Sequence, residues 1–442
     1  MMRMLNRFCA LVALCTTAAW SVGTFAFADA FDKMELKKLE AVHRDIEGLR
    51  KEWMAIERGG RLQELRANLH VHSHWSHDSR GTIEDIVAAA KKVGTKVLLF
   101  NEHPADHYDF FKQGHQGIVD GVLLIPGAES NGFLSYPTMS LQGLNLGTPQ
   151  EFADLVRSRG GLMFVSHLEE RMDWNIQGIT GVEIYNTHAD FKDEKRLIES
   201  LRKPLWIVQA AEMVRKYPQE SYSALQNYPV DYLKRWDELC AVAPHAGISA
   251  NDAHQNVGMI ARWAEGNTAR VEDPLGKLLM ELPLATIPSS LLSREGKKEG
   301  DELFRLLFDP YECSLRHVGT HVLVTEFSES AVRKSLQAGT AFVAFDWIAD
   351  STGFDFVAWN GKERTEMGGQ LNFSSSNELT LRAQAPLSVQ WKLMRNGQAI
   401  HEGTARALDW VVKEPGIYRL EAWMEVAGER MLWILSNPIY IQ

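Results

Sequence analysis

The sequence predicts a parallel α/β region followed by a small antiparallel β region. From about residue 63 to 347, short apolar stretches alternate with helical stretches. Strand then helix, repeated, is typical of a parallel sheet. After about residue 350 the helical pattern stops, alternating strand patterns follow, and Asn396-Gly397 is a strong hairpin signal. We therefore expect an α/β domain over 63–347 and a β-sandwich domain over 348–442.

Residues 1–28 have the layout of a secretory signal peptide. Arg3 and Arg7 precede an uncharged apolar stretch, and Ala26-Phe27-Ala28 provides a small-residue cleavage site. The alternative is an uncleaved membrane anchor, because the apolar stretch is near the lower length that crosses a bilayer. With cleavage we expect a periplasmic or secreted protein that keeps no stable membrane span.

The following elements come from periodicity and capping signals. Residues 29–62 are predicted to be a leading segment, in which an amphipathic helix covers about residues 31–58. Helices are predicted to start at Thr82, at the capping box Thr148 to Glu151, and at Ser328. The candidate strands of the α/β region are 65–71, 96–100, 121–125, 161–165, 181–185, 205–209, 246–250 and 341–345.

Composition limits the class of protein and its partners. With 442 residues, 45% of them hydrophobic, the chain can bury a sizeable core. The signal segment carries two arginines and no acid, so its removal changes the formal net charge from −10 to −12. Nucleic acid is therefore not an expected partner. Cys240 and Cys313 either pair in an oxidising compartment or remain two separate buried thiols. No oligomeric state is indicated.

Metal-ligating residue types follow the predicted strands. His70 and His72 are two apart, so on a strand they point to the same side. The carboxyl ends of parallel barrel strands meet at one mouth, where mixed nitrogen and oxygen side chains are satisfied by divalent cations. Later strand ends add further candidates of the same kind: Asn101-Glu102-His103, Gly127-Ala128-Glu129, Val165-Ser166-His167 and Asn251-Asp252-Ala253-His254.

In order and spacing these motifs resemble the PHP (polymerase and histidinol phosphatase) family. The motifs that carry the resemblance are His70-Val71-His72-Ser73, Ser76-His77, Glu102-His103, Gly127-Ala128-Glu129, His167 and Asp252-Ala253-His254. The resemblance covers about residues 65–258. It implies a distorted (β/α)7 TIM-like barrel with two or three divalent ions, manganese, iron or zinc, at its mouth.

The resemblance also implies a role for each ligand. His70, His72 and Asp252 would hold one metal, which Glu129 would bridge to a second metal bound by His167. His77, His103 and His254 would hold the third. His77 is preferred to the adjacent Asp78 because it follows Ser76. His74 is expected in an outer shell or facing solvent, and Glu183 in a structural or outer-shell role. Many relatives have another ligand His where residues 138–147 have none. His188 would substitute for it or contact substrate.

The resemblance and its metal ligands together imply hydrolysis of a small-molecule phosphate mono- or diester by a metal-bound hydroxide. Asp252, His254 and His188 are the candidates for protonating the leaving group. Arg80 and Arg171 would clamp the phosphate, or form only surface ion pairs. A metal-dependent amide or ester hydrolase and a non-catalytic, metal-stabilised binding protein remain as alternatives. The β domain is expected to lack catalytic groups.

Overall fold

The computed structural model describes residues 29–200, 203–287, 292, 295–373 and 379–442. The predicted signal peptide lies outside these residues. The chain begins with two helices, α1 (Ala30–Lys33) and α2 (Leu36–Glu52). The leading helix ends earlier than predicted, because the chain turns extended at Trp53, whose indole Nε1 donates to Asp350 O at 2.8 Å.

The α/β region follows with alternating strands and helices. Its elements up to the last parallel strand are β1 (Gln63–Val71), α3 (Ile83–Lys92), β2 (Val97–Phe100), α4 (Phe110–Gln113), β3 (Gly117–Val119), β4 (Val122–Ile125), β5 (Ala128–Ser130), β6 (Phe133–Tyr136), α5 (Pro149–Ser158), β7 (Leu162–Val165), β8 (Gly181–Asn186), α6 (Thr187–Asp193), α7 (Lys195–Ser200), α8 (Pro204–Lys216), α9 (Pro218–Ser223), α10 (Val230–Val242) and β9 (Ala246–Ala253). The predicted caps are present: Thr82 Oγ1 accepts from Asp85 N, and Thr148 and Glu151 form a capping box.

The strands of this region close into a ring. Parallel pairings join them in the order β4–β2–β1–β9–β8–β7. The antiparallel hairpin β5–β6 completes the circuit, since β6 pairs with β7 and Ala128 of β5 bridges to Glu102 after β2. The carboxyl ends of the parallel strands therefore meet around one mouth.

The ring departs from a regular (β/α)7 barrel. Strand β6 runs antiparallel because the chain reverses at Asn131 and Gly132, which both have positive φ angles. The mixed α/β class is confirmed, whereas the predicted distorted (β/α)7 barrel is not. The predicted strand 205–209 is wrong: these residues belong to helix α8, which begins at Pro204, a residue favoured in the first turn of a helix.

A small antiparallel sheet, which the sequence patterns did not predict, follows β9. It consists of β10 (Gly258–Ala264), β11 (Thr268–Glu272), β12 (Leu278–Pro283) and β13 (Glu302–Leu307), in the order β12–β11–β10–β13. It has its own apolar cluster, which includes Met259, Val271 and Leu303. The chain then returns to the main sheet through α11 (Tyr311–His317), β14 (Gly319–Val324), α12 (Glu329–Ala338) and β15 (Ala341–Ala344).

The C-terminal region consists of strands, as predicted. They are β16 (Asp355–Trp359), β17 (Arg364–Glu366), β18 (Gln370–Leu371), β19 (Thr380–Arg395), β20 (Gln398–Val411), β21 (Gly416–Val426), β22 (Glu429–Ser436) and β23 (Ile439–Ile441). The Asn396-Gly397 turn joins β19 to β20. Trp391, Trp423 and Trp433 are buried and Trp410 is half-buried. These tryptophans therefore pack in the core.

A separate sandwich is not confirmed. Strand β14 pairs with the first half of β1, and β15 pairs with both β14 and β22, so one hydrogen-bonded sheet runs from the ring into the C-terminal strands. One apolar cluster also spans both regions, from Trp236 to Trp433. The domain boundaries, including 347/348, stay predictions. Cys240 and Cys313 are free, buried thiols, so the disulfide alternative is not realised.

A buried histidine beneath the ring predicts a pH-dependent stability. His321 contacts Glu64 through Nδ1 at 2.6 Å and Asp346 through Nε2 at 2.8 Å. Burial alone would lower the pKa of His321, but Asp346 and Glu64 raise it to about 9. A raised pKa stabilises the fold fully below the unfolded value of about 6.5, and this stability is lost as pH rises through about 9.

His321→Gln should therefore reduce the free energy of unfolding more at pH ~6 than at pH ~10. The difference between the two losses should be at most about 3 kcal/mol, measured by urea unfolding. His401→Gln is the control, because that ring packs at a tilt against the Trp410 ring and forms no ion pair with any carboxylate of the described residues. Equal losses at the two pH values would contradict the proposed charge on His321.

Candidate metal centre

Residues from separate strand ends meet at the mouth of the ring in three overlapping groups. The first group is His70, His72 and Asp252; the second group is His70, Glu129 and His167; the third group is His72, Asp78, His103 and His254. Within each group, one nitrogen or oxygen atom per residue lies within 4.8 Å of the others. Because His70 and His72 each belong to two groups, the three groups form one continuous centre.

Glu129 joins the first two groups through its two oxygens. Its Oε2 lies 3.2 Å from His70 Nε2, and its Oε1 lies 3.2 Å from His167 Nε2. Asp252 has a similar position, with Oδ1 3.3 Å from His70 Nε2 and Oδ2 3.5 Å from His167 Nε2. Two carboxylates thus face the same pair of imidazoles, which is the arrangement expected of a bridge between cations.

The backbone is strained where three of these residues stand. His70, His167 and Asp252 have φ angles of 60°, 46° and 49°, in the left-handed region that side chains other than glycine rarely adopt. The pairing of β1 with β9 shifts register at the same place, between Leu69 and Val71. Such strain concentrates at functional sites, where the surrounding structure holds it. Here it turns ligand-type side chains toward one point.

The donor atoms fit a cluster of divalent cations. Nε2 of His70, of His72 and of His254 is buried without a hydrogen-bond partner, as is Oδ1 of Asp78. Buried polar atoms normally have partners, and unpaired ones are costly. Imidazole nitrogen and carboxylate oxygen together suit zinc, iron or manganese. The residues present therefore fit the two or three ions expected from the sequence.

The outward-facing imidazole nitrogens are already occupied. Nδ1 of His70 contacts Glu183 Oε1 at 2.8 Å, Nδ1 of His167 contacts Glu169 Oε1 at 3.2 Å, and Nδ1 of His254 contacts Asp252 O at 2.9 Å. Each partner is an acceptor, so each Nδ1 carries the proton. Nε2 is then the atom of each ring that faces the centre and would bind a metal, a pattern typical of metal-ligating histidines.

His72 is oriented by a serine and a glutamate that the motifs did not identify in this role. Its Nδ1 lies 3.0 Å from Ser76 Oγ, and the Ser76 hydroxyl donates to Glu102 Oε2 at 2.6 Å. Glu102 also accepts from the Ser73 amide and hydroxyl. Glu102 was a candidate ligand by its place after β2, but it lies behind His72 and belongs to none of the three groups. In the sequence, the signal for this arrangement was the Ser-x-x-Ser spacing of Ser73 and Ser76 after His72.

The surrounding charges keep the carboxylates ionised. Burial alone would raise the pKa of Glu129 and of Asp252, but the charge of His70 and contacts with the other imidazoles hold both pKa values well below their usual range. Burial lowers the pKa of His72 to about 3, so this imidazole is neutral. Against the effect of burial, the nearby carboxylates raise the pKa of His70 well above its usual range, that of His167 to about 10 and that of His254 to about 9, so a bound cation would displace one proton from each of these rings.

Residues 68–235 match the family model described as the PHP domain. This part of the chain is similar to the PHP domain family, and we refer to it as the PHP domain. The match includes the ligand-type residues from His70 to His167, while Asp252 and His254 follow it in the chain and return to the same mouth on β9. The resemblance inferred from the motifs is therefore confirmed.

Comparisons with solved structures and with curated proteins give no further support for a family or a function. Among solved structures the chain is similar to a two-domain protein from Bacteroides vulgatus ATCC 8482 containing a predicted PHP-like metal-dependent phosphoesterase. The identity is 13%, the alignment covers 88% of this chain and 98% of that chain, and the TM-score is 0.36. A TM-score of this size carries no argument about fold or function. A search of curated proteins found no match.

The PHP domain uses Asp78 where His77 was expected. The His77 side chain is 78% exposed, whereas Asp78 Oδ2 lies 3.4 Å from His103 Nε2 and 3.3 Å from His254 Nε2. The loop is held in this orientation because Asn256 Nδ2 donates to Asp78 O at 3.0 Å. Ser79 Oγ, next in the chain, donates to His254 O. In the described geometry Asp78, and not the exposed His77, belongs to the third group, so the assignment of His77 as a ligand stays an untested prediction.

The two arginines that were expected to clamp phosphate contact backbone carbonyls beside the centre. Arg80 Nη1 donates to the carbonyls of His77 and Ser79 on the loop surface. Arg171 Nη1 donates to the carbonyls of Ser166 and His167, and its guanidinium lies 5.5 Å from the Trp174 ring. Both guanidinium groups support the backbone around the PHP domain's mouth and are not aimed into it.

Three more predicted positions lie beside the groups. His188 Nδ1 is 3.9 Å from Asp252 Oδ2, and the ring centres of His188 and His167 are 6.3 Å apart, so His188 borders the centre and belongs to none of its groups. His74 is exposed near Trp75 and His115. Glu183 has the outer-shell place expected of it, accepting from the His167 amide at 2.7 Å and from Asn186 Nδ2 at 3.0 Å.

Glu183→Gln should weaken metal binding by the PHP domain about 10- to 100-fold, the usual effect of losing an outer-shell carboxylate. Gln is uncharged and no longer favours the proton on His70 Nδ1. Equilibrium dialysis against zinc or manganese measures the change. Glu170→Gln is the matched control, because that exposed carboxylate pairs with Arg171 at 3.3 Å. Equal metal affinity of the two variants would contradict the orienting role of Glu183.

Proposed function

We propose that this protein is an exported metal-dependent phosphoesterase that hydrolyses a small-molecule phosphate mono- or diester. One observation carries the proposal: the Nε2 atoms of His70, His72 and His254 are buried without hydrogen-bond partners, and they converge with the carboxylates of Glu129 and Asp252. Sites of this composition hold two or three divalent ions. Zinc, manganese or iron would fit the donors, and cellular supply would select among them.

Bound metals would lower the pKa of water and neutralise phosphoryl oxygens during in-line displacement. The chain's own residues supply position and proton transfer. Glu129 belongs to the second group and contacts His70, which the first group shares, so its carboxylate would help to hold the ions of both groups in fixed relation. Asp252 and His254 belong to the groups themselves, which leaves His188 as the best candidate for moving a proton. Its ring borders the centre, and burial lowers its pKa.

The proposal is tested by metal analysis of the purified protein together with a substrate panel. The panel contains phosphate monoesters, phosphate diesters and amides, each assayed before and after chelation. Chelator-sensitive release of phosphate or alcohol from an ester is the expected result. Turnover of amides alone would favour an amidohydrolase. Tight metal binding without any turnover would favour a non-catalytic binding protein.

Export makes a separate prediction. No helix of the described residues is long and apolar enough to cross a membrane. If residues 1–28 are a signal peptide, mass spectrometry of protein from the cell envelope or medium should find a mature chain that begins at Asp29. Arg3→Glu/Arg7→Glu, which removes the positive start of the signal, should reduce export. An intact Met1 on envelope protein would refute cleavage.

A further inference from the structure

A cavity lies beneath the ring, at the end opposite the candidate metal centre. Its volume is 480 Å³, within the about 300 to 1,000 Å³ typical of small-molecule sites. It is lined by the start of β1, the segment between α3 and β2, the end of α2, and the chain that follows β15. Glu64 at the cavity and His70 at the metal centre are six residues apart on β1, about 20 Å of extended strand.

The charges at the floor of this cavity neutralise one another. His321 lies between Glu64 and Asp346, and Arg66 Nε is 3.2 Å from Asp346 Oδ2. Two carboxylates thus face a guanidinium and a histidine whose pKa Asp346 and Glu64 raise to about 9 against the effect of burial. These groups therefore provide no net negative charge that would offset the cations at the rim of the cavity.

One side of the rim carries an excess of positive charge. Lys92 and Arg316 both pair with the single carboxylate of Glu312, at 2.6 Å and 3.2 Å, and Glu312 does not itself line the cavity. Lys96, on the same rim, is exposed and forms no ion pair with any described residue. Three cations thus share one carboxylate. This is notable in a chain whose formal net charge is −10.

The remaining walls are partly aromatic, and they carry the carboxylate of Asp350, which forms hydrogen bonds but no ion pair among the described residues. Trp53 and Trp347 line the cavity, and the Trp53 indole donates to Asp350 O. Asp350 accepts from the amide and hydroxyl of Thr352. Arg50 pairs with Glu47 on α2. A ligand would therefore meet an indole face on one side and uncompensated cations on the other.

We propose that this cavity binds a small molecule bearing a phosphate group. The phosphate would lie against Lys92, Lys96 and Arg316, which share only the carboxylate of Glu312, and the remainder would pack on Trp53. Lysine and arginine donate charge-assisted hydrogen bonds to phosphate oxygens. Such a site is separate from the metal centre, so a bound phosphate compound would not compete there with substrate.

Calorimetric titration of the full chain with inorganic phosphate, at constant ionic strength, tests the proposal. Binding at the cavity should persist in Glu129→Gln, which disrupts only the metal centre. In Lys96→Gln/Arg316→Gln it should weaken about 100-fold, tenfold for each charge-assisted hydrogen bond removed. Lys91→Gln is the matched control, because Lys91 lies beside Lys92 but pairs with the surface residue Asp120 at 3.2 Å.

A charge-conserving variant distinguishes a phosphate site from a folding defect. Lys96→Arg/Arg316→Lys keeps both charges and should bind phosphate within a few-fold of the wild type, whereas a folding defect would weaken every variant. Phosphate binding that disappears in Glu129→Gln, or that is unchanged in Lys96→Gln/Arg316→Gln, would overturn the proposal. Neither outcome depends on whether the metal centre hydrolyses phosphate esters.

Discussion

Glu129→Gln should lose bound metal and nearly all phosphoesterase activity while the protein remains folded. Glutamine keeps the volume of the side chain but removes the charge that faces His70 and His167, each 3.2 Å from one of its oxygens. Because this carboxylate joins two groups, the loss of rate should exceed the about 100-fold upper effect of an outer-shell partner. Metal content by mass spectrometry and the rate with a phosphate ester are the two measurements.

His74→Ala is the matched control for Glu129→Gln. His74 is exposed beside Trp75 and lies outside the three groups, so this variant should keep its metal and most of its activity. Circular dichroism would establish that both variants are folded. Wild-type metal content and rate in Glu129→Gln would rule out the bridging role, whatever substrate the protein uses.

Asp78→Asn should remove the metal of the third group, whereas His77→Ala should retain it. Asp78 contacts the Nε2 atoms of His103 and His254, and its Oδ1 is buried without a hydrogen-bond partner. The asparagine amide keeps one oxygen but lacks the negative charge that offsets a cation. We expect the affinity for the last metal equivalent and the ester hydrolysis rate each to fall by about tenfold or more.

Stoichiometry distinguishes the two adjacent positions. Titration with a divalent ion should show fewer tight equivalents in Asp78→Asn than in the wild type. His77→Ala should match the wild type, because its imidazole is mostly exposed. The reverse result, with loss in His77→Ala and retention in Asp78→Asn, would mean that the loop reorganises around bound metal and that His77 is the ligand after all.

Local sequence was informative where a single stretch of chain decides the outcome. The helix starts at Thr82, Thr148 and Ser328 were predicted because a capping side chain bonds to an amide only a few residues away. Predicted ligands such as His70, Glu129 and His167 come together because each stands at or near the end of a ring strand. Helix α8 shows the limit, since a short apolar run at 205–209 fits either a strand or a helix.

By itself, the sequence determined the mixed α/β class, the β character of the C-terminal region, and the ligand motifs that mark a PHP domain. Only the tertiary structure decided between His77 and Asp78, because the contacts that orient their loop come from Asn256 and His254, far along the chain. It also joined the ring to the C-terminal strands through β15 and β22. Motifs specify which side chains are available, whereas contacts between distant residues specify where each one points.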